Sequence, residues 1–248
     1  MGGARQPRED GPPPVPSSHQ GCAIRSVRVQ LPAQRGELRD RHEDGHHLHH
    51  LVWRLGPGAR VCSSAVLGGG IGPRAWILNA QVPGGYPRLD PDRHLAEIAA
   101  AEGLTGPGAG LMTAADVAAY TTGHDGGVTA TVTTGLGVRG WAAASDAEAA
   151  TPHRPGTINI VVTLPVALSD AALVNAVATA TEAKVQALLD AGLDCSGTPT
   201  DAVCVAAPEP GPDGGEPFAG PRSTWGARIA RAVHTAVLAG ARPARDLS

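Results

Sequence analysis

The sequence predicts a single α+β domain, and three observations carry that prediction. An apolar strand, a long helix and a second apolar strand follow one another over 156–207, in GTINIVV through DAVCVAA. Two more helices are announced by one-sided apolar stripes with start and stop signals, at 90–103 and near 224–241. Short strand-like runs such as VTATVTT fill much of the chain before residue 135. At 248 residues the chain is long enough for one substantial domain and short for two. Apolar residues make up 42% of it but aromatics only 3%, so the core has to be built from small aliphatic side chains in closely packed layers.

Residues 1–45 are rich in Pro, Arg, Gly and Glu and read as a flexible N-terminal segment, with one short alternating piece at 23–31 that could be a strand. The domain proper is placed at 46–248. It opens on EDGHHLHHLVWRL, where His46 and His50 would share a face of a helix at a spacing that can hold a metal. No HExxH pattern accompanies them, and Leu48, Val52 and Leu55 suit a strand or loop equally, so no metal site is assigned.

RVCSSAVLGGGIGPRAWILNAQVP predicts two strands, at 61–67 and 75–82, joined hairpin-fashion by the glycine turn at 68–72. That turn lacks the GK[ST] of a phosphate loop. Ser64 is a candidate nucleophile here, or a small residue on a solvated strand face, and Asn79 is a polar group set in an apolar strand. Pro91 at the first position and Gly103 at the end frame the next helix. Its stripe is Leu95, Ile98 and Ala99, with His94 beside it as a packing residue.

GLTGPGAGLMTAADVAAY reads as a glycine-rich entry to a short helix starting near Thr113. The backbone N–H groups of such a start can hold an anion or an oxyanion, and a plain cap by Thr113 is the alternative. The strand at 128–134 puts Thr129, Thr131 and Thr133 on one face, which faces either solvent or a site. Residues 139–155 read as a loop with an acidic tract.

The central helix is expected over 169–191, ending at Gly192. Leu173, Val177, Ala180, Ala187 and Leu188 fall on one side with Lys184 in their midst, whereas Asn175, Thr179, Glu182, Gln186 and Asp190 fall on the other. Lys184 is the sole lysine; every other basic side chain is arginine. An ammonium is compact and can lose its proton when desolvated, which arginine does not do. The other reading is a stem covering apolar surface with its head in water. After the helix, SGTPTDAV sets Ser196, Thr198 and Thr200 before Asp201 at a strand mouth, as turn chemistry or as a site. Residues 208–222 form a Pro/Gly loop long enough to be a lid. The last helix is capped near Ser223 or Thr224 and buries Trp225, Ile229, Val233, Ala236 and Val237.

Several classes are set aside on composition. Net charge -3 and a pI near 6.3 give no footprint for nucleic acid or an anionic membrane. The sequence contains no apolar run of about 18 residues, and MGGARQPREDGPPP has charges where a signal peptide needs an apolar core, so the expectation is cytoplasmic. Cys22, Cys62, Cys195 and Cys204 are widely spaced without a CxxC pair, and read as buried or idle thiols.

Taken in order, SSAVLGGG, ILNAQV, GLMTAADV, TVTTGLG, GTINIVV, ATATEAK, SGTPTDAV and AGPRSTWG resemble the adenosylcobinamide amidohydrolase family over roughly 48–241. The resemblance implies hydrolysis of the amide joining a corrin side chain to aminopropanol, giving adenosylcobyric acid in cobamide salvage. It also implies a small-molecule corrinoid partner and no cofactor held by the protein, since cobalt arrives inside the substrate. Residues 1–45 and the tract at 145–150 lie outside the matched motifs. In layout, strand, helix and SGTPTDAV strand are similar to the C-terminal half of the aminopeptidase and ornithine acetyltransferase group, which implies an αββα sandwich.

Amide hydrolysis needs a nucleophile, a proton donor for the departing amine and donors for the oxyanion. The candidate catalytic residues are Lys184, Asp201, Glu182 and Ser64, with Glu182 competing against a solvated role. The candidate substrate-binding residues are Asn79, Thr113, Thr133, Thr157, Asn159, Thr198 and Thr200. Two other classes remain open from sequence. One is a corrinoid-binding or carrier protein without chemistry, and the other a metal-dependent amidase using the histidine cluster.

Overall fold

The computed structural model describes residues 1–2, 35–145 and 156–242. The possible strand at 23–31, Cys22 and the tract at 146–150 lie outside the described residues. In chain order come strands β1 (Glu37–Glu43), β2 (His46–Arg54), β3 (Ala59–Ser63), β4 (Gly70–Pro73) and β5 (Trp76–Gln81), helix α1 (Pro91–Ala101), and strand β6 (Gly108–Thr113). A 3-10 turn (Val117–Ala119), strands β7 (Thr121–Asp125), β8 (Val128–Thr134) and β9 (Ile158–Thr163), helix α2 (Asp170–Asp190), strand β10 (Ala202–Pro208) and helix α3 (Thr224–Ala241) complete it.

The strands form two mixed sheets, ordered β1-β2-β5-β6 and β4-β3-β10-β9-β8-β7. Alternation along each strand divides the core into three layers. Ile158, Ile160 and Val162 of β9 and Val203 and Val205 of β10 face α2 and α3. The intervening residues Val161, Cys204 and Ala206 face Leu51, Trp53 and Ile77 across the gap between the sheets. On the far side of the smaller sheet, Val52, Leu78 and Ala80 pack on Leu95, Ile98 and Ala99 of α1. The order is helix, sheet, sheet, helix, and the scarcity of aromatic side chains suits such closely stacked layers.

Helix α2 starts where Ser169 caps it, its hydroxyl accepting from Ala172 N at 3.1 Å, and stops at Gly192, whose φ of 77° continues no right-handed helix. It is the crossover between the parallel neighbours β9 and β10, and so its C-terminal half returns to the end where both strands begin. Its buried face holds Leu173, Ala180, Lys184, Ala187 and Leu188 as the periodicity requires. Two positions differ. Thr179 is buried because its hydroxyl donates to Ala219 O at 2.8 Å, and Val177 is only half-buried.

Other expectations give way to tertiary structure. The strands at 61–67 and 75–82 are no hairpin: β3 pairs with β4 in the larger sheet, and the chain then crosses to the smaller one, where β5 pairs with β2 and β6. GAGLMT is a strand, not a helix entry, since Thr113 pairs with Gln81 and its hydroxyl caps only a turn, accepting from Ala115 N at 3.0 Å. The short 3-10 turn further on is capped by Asp116. Glu37–Glu43, assigned to the N-terminal segment, is an edge strand closed on β2 by the Asp44–Gly45 turn, with φ of 48° and 79°. The loop at 208–222 is no free lid, because Glu216 bonds to Ala167 and Ser169, and Ala219 is fully buried.

Candidate functional site

Lys184 and Asp201 meet where α2 passes the beginning of β9 and β10. Asp201 shares the pleat face of Val203, so its carboxylate turns toward the helix layer, where Lys184 Nζ donates to Oδ2. Four donors converge on this carboxylate: Lys184 Nζ and Thr198 N at 3.1 Å on Oδ2, and Thr198 Oγ1 and Ile158 N at 2.9 Å on Oδ1. The side chains of Lys184 and Asp201 are 9% and 10% exposed, so little water competes for either charge. The alternative of a lysine head in open solvent is thereby replaced by a buried ion pair.

Gly197 is what allows the turn to close over this pair. A Cβ there would collide with Asp201 Oδ2 and lie 2.5 Å from Lys184 Nζ, at a φ of +151°. Beside it, the hydroxyls of Thr157 and Thr200 are 2.5 Å apart, and Thr200 also donates to Gly156 O at 3.2 Å. The carboxylate, the ammonium and the three threonines therefore form one cluster at the mouth of two parallel strands, with Thr200 reaching solvent and Thr198 half-buried.

A second polar group lies between the sheets. Asn159 faces the gap, because Val161 on the same pleat face belongs to the inter-sheet core. Its Nδ2 donates to Asn79 Oδ1 at 2.8 Å and to Met112 O at 3.0 Å, and Asn79 Nδ2 donates to Thr133 Oγ1 at 3.0 Å. Asn79, Thr133 and Asn159 are 2%, 1% and 1% exposed. The bonds these two amides donate join β5, β6, β8 and β9, while Asn159 Oδ1 is buried without a partner among the described residues. As placed, they tie the two sheets to each other. The hydroxyl face of β8 is likewise buried.

The remaining candidates lie outside the charged cluster, Ser64 nearest to it. Glu182 is exposed on the outer face of α2. Ser64 lies beyond the end of β3, its Oγ accepting from Val203 N at 3.1 Å. Thr113 closes β6 behind Met112. The histidines at 46–50 lie on a strand, not a helix, with His46 and His47 exposed and His50 buried against Glu102, Nε2 to Oε1 2.9 Å. Among the described residues no three His, Cys, Asp or Glu side chains converge as a metal ligand set. Cys195 lies next to the turn, but burial raises its thiol above the ordinary range, and burial pushes Cys204 up to about 12. An open surface hollow of about 550 Å³ is lined by Asn175, Phe218, Pro221 and Arg222. Asn175 lies nine residues before Lys184, about 13 Å along the helix, so the hollow is separate from the charged cluster.

Two parts of the site escaped the sequence reading, the clamp by Gly197 and the backbone donor Ile158 N. Gly-Thr shortly before Asp201 was the available signal for the first, since a glycine there leaves room for a carboxylate to fold back on its own turn.

A family model described as adenosylcobinamide amidohydrolase matches residues 35–248. A protein of Methanosarcina mazei named adenosylcobinamide amidohydrolase is 34% identical over 184 residues, covering 71% of this chain and 88% of its own length. Among the described residues no helix is long and apolar enough to cross a membrane.

Proposed function

Because the chain belongs to the adenosylcobinamide amidohydrolase family, and so to the hydrolases of carbon–nitrogen bonds, we propose that it cleaves the aminopropanol amide of adenosylcobinamide, releasing adenosylcobyric acid during cobamide salvage. The observation that carries the site assignment is the Thr198–Asp201–Lys184 array, a hydroxyl donated to a carboxylate that is itself clamped by an ammonium.

In this reading Thr198 Oγ1 attacks the amide carbonyl carbon while its proton passes to Asp201. The tetrahedral adduct collapses as the carbon–nitrogen bond breaks, and Asp201 returns that proton to the departing amine. Water then attacks the ester with Asp201 again accepting a proton, the carboxylic acid leaves, and Thr198 regains its hydroxyl. Lys184 stays charged throughout, holding the carboxylate in position and placing positive potential beside the developing alkoxide. Thr157 and Thr200 flank the entrance as substrate contacts. No cofactor takes part, and cobalt belongs to the substrate.

Incubation with adenosylcobinamide, followed by mass spectrometry for adenosylcobyric acid and free aminopropanol, tests the proposal alongside Thr198→Ala and Asp201→Asn. Product from the parent and none from folded variants supports it. Product from Thr198→Ala removes the covalent route and leaves Asp201 activating water. A parent that binds the corrinoid without releasing aminopropanol overturns the enzyme reading in favour of a carrier.

A further inference from the structure

Residues 140–142 are bonded directly onto the turn that encloses the Lys184–Asp201 pair. Gly140 N donates to Gly197 O at 3.0 Å and Ser196 N donates to Gly140 O at 3.0 Å, an antiparallel bridge. Ser196 Oγ accepts from Ala142 N at 2.8 Å and reaches back to Gly140 O at 3.3 Å. The residue between these anchors is Trp141. Both its neighbours are fixed to Ser196 and Gly197, and a Cβ on Gly197 would touch the ion pair, so the backbone of Trp141 is tied to the charged cluster by one layer of turn.

The Trp141 side chain is left open. It is 46% exposed, whereas Trp53 and Trp76 are buried and Trp225 is covered by the Arg228 guanidinium at 4.5 Å. Among the described residues no ring or cation stacks on Trp141. A large apolar ring held by a pinned backbone loses little conformational freedom when something stacks on it, which is how aromatic anchors of binding sites work. In a chain with seven aromatic residues among Phe, Trp and Tyr, the one tryptophan with an open face sits beside the candidate catalytic turn.

We propose that Trp141 is a substrate-contact residue, an aromatic platform on which the corrin macrocycle rests while its amide side chain reaches Thr198 and Asp201. This rests on the placement of the reaction at that cluster. A macrocycle is far wider than the cluster itself, and its apolar face needs a broad apolar contact outside the site of bond cleavage. A contact made equally in the ground state and the transition state lowers Kd and KM and leaves kcat unchanged, and a platform under the macrocycle, away from the bond that breaks, is of that kind.

The test separates binding from turnover. Equilibrium dialysis with cobyric acid, which retains the macrocycle and lacks the scissile aminopropanol amide, is compared for the full-length parent, Trp141→Ala and Trp141→Phe. Steady-state kinetics on adenosylcobinamide follow. The expected result is a Kd and KM raised about tenfold in Trp141→Ala, largely restored in Trp141→Phe, with kcat within about twofold of the parent. Unchanged cobyric acid affinity in a folded Trp141→Ala overturns the platform, as does loss of kcat with no change in Kd. The dialysis needs no catalysis, so inactivity of the parent, or activity persisting in Thr198→Ala, would count against the catalytic assignment and leave the binding result standing.

Discussion

The Lys184 ammonium and the Asp201 carboxylate close an ion pair beneath Gly197, joining the C-terminal half of the enzyme's central helix to the entry of its last strand. Removing one partner of so buried a pair leaves the other uncompensated, at a cost of about 3–5 kcal/mol. Lys184→Met and Asp201→Leu are each expected to destabilise by that order in urea denaturation. The double variant is expected to lose less than the sum, because it strands no charge. Additive losses would mean that the two groups do not interact in the folded state.

Gly197→Ala is expected to cost about 2 kcal/mol or more, since its methyl group would occupy the space of Asp201 Oδ2 and Lys184 Nζ at a backbone conformation that alanine resists. Gly140→Ala, across the bridge, is the control: a methyl group there would meet nothing within 4 Å, and the φ of Gly140 is not in the left-handed region. Thermal melting should separate the two variants clearly, and equal melting temperatures would refute the clamp.

The amides of Asn79 and Asn159 bind the sheets to each other, so truncating either leaves buried donors and acceptors without partners. Asn79→Ala and Asn159→Ala are each expected to destabilise by about 1–3 kcal/mol, with a coupling of at least about 0.5 kcal/mol in the double-variant cycle. Because the bonds of these amides join the sheets to each other, the folded variants should keep kcat near that of the parent. A large loss of kcat at unchanged melting temperature would return the two amides to the catalytic centre.

Local pattern was enough to find α1, α2, α3 and β8, because each carries its own cap or period. What it could not supply was partner choice. The glycine turn at 68–72 looks the same whether the next strand folds back or crosses to the other sheet, and here Trp76–Gln81 crosses. Glu37–Glu43 has no apolar alternation because it is an edge strand, exposed along most of its length, and only Asp44–Gly45 marked it. The phase of α2 put Lys184 on the buried face of the helix, where it lies, and Asp201 was singled out by its position at a strand mouth. Their meeting depends on α2 being the crossover between parallel strands, which brings residue 184 back to the strand beginnings. Asn79 was seen as a polar group in an apolar strand and Asn159 as a substrate-binding candidate, but whether such a group faces a pocket or the opposite sheet is decided by strand pairing that lies outside any local window.

The buried His50 gives the fold a pH dependence with a definite sign. Burial lowers its pKa from the ordinary value, the nearby charges of Arg41 and Arg39 act the same way, and Glu102 opposes them without overcoming them. The unfolded chain therefore takes up a proton at His50 at a higher pH than the folded protein does. Below the ordinary histidine value of about 6.5, protonation favours the unfolded state, and stability falls as pH drops through that value toward the lowered folded one. One such proton contributes a slope of at most about 1.4 kcal/mol per pH unit. Carboxylates paired with arginine, such as Asp125 with Arg231 and Asp170 with Arg60, lose their stabilisation at lower pH and add to the fall only there. His50→Gln removes the titration and keeps a polar group facing Glu102. Denaturation curves between pH 7.5 and 5 should therefore be flatter for the variant than for the parent, with the difference growing below pH 6.5. Parallel curves over that range would mean that His50 accepts its proton without opening the contact between α1 and the smaller sheet, and that burial does not govern its charge.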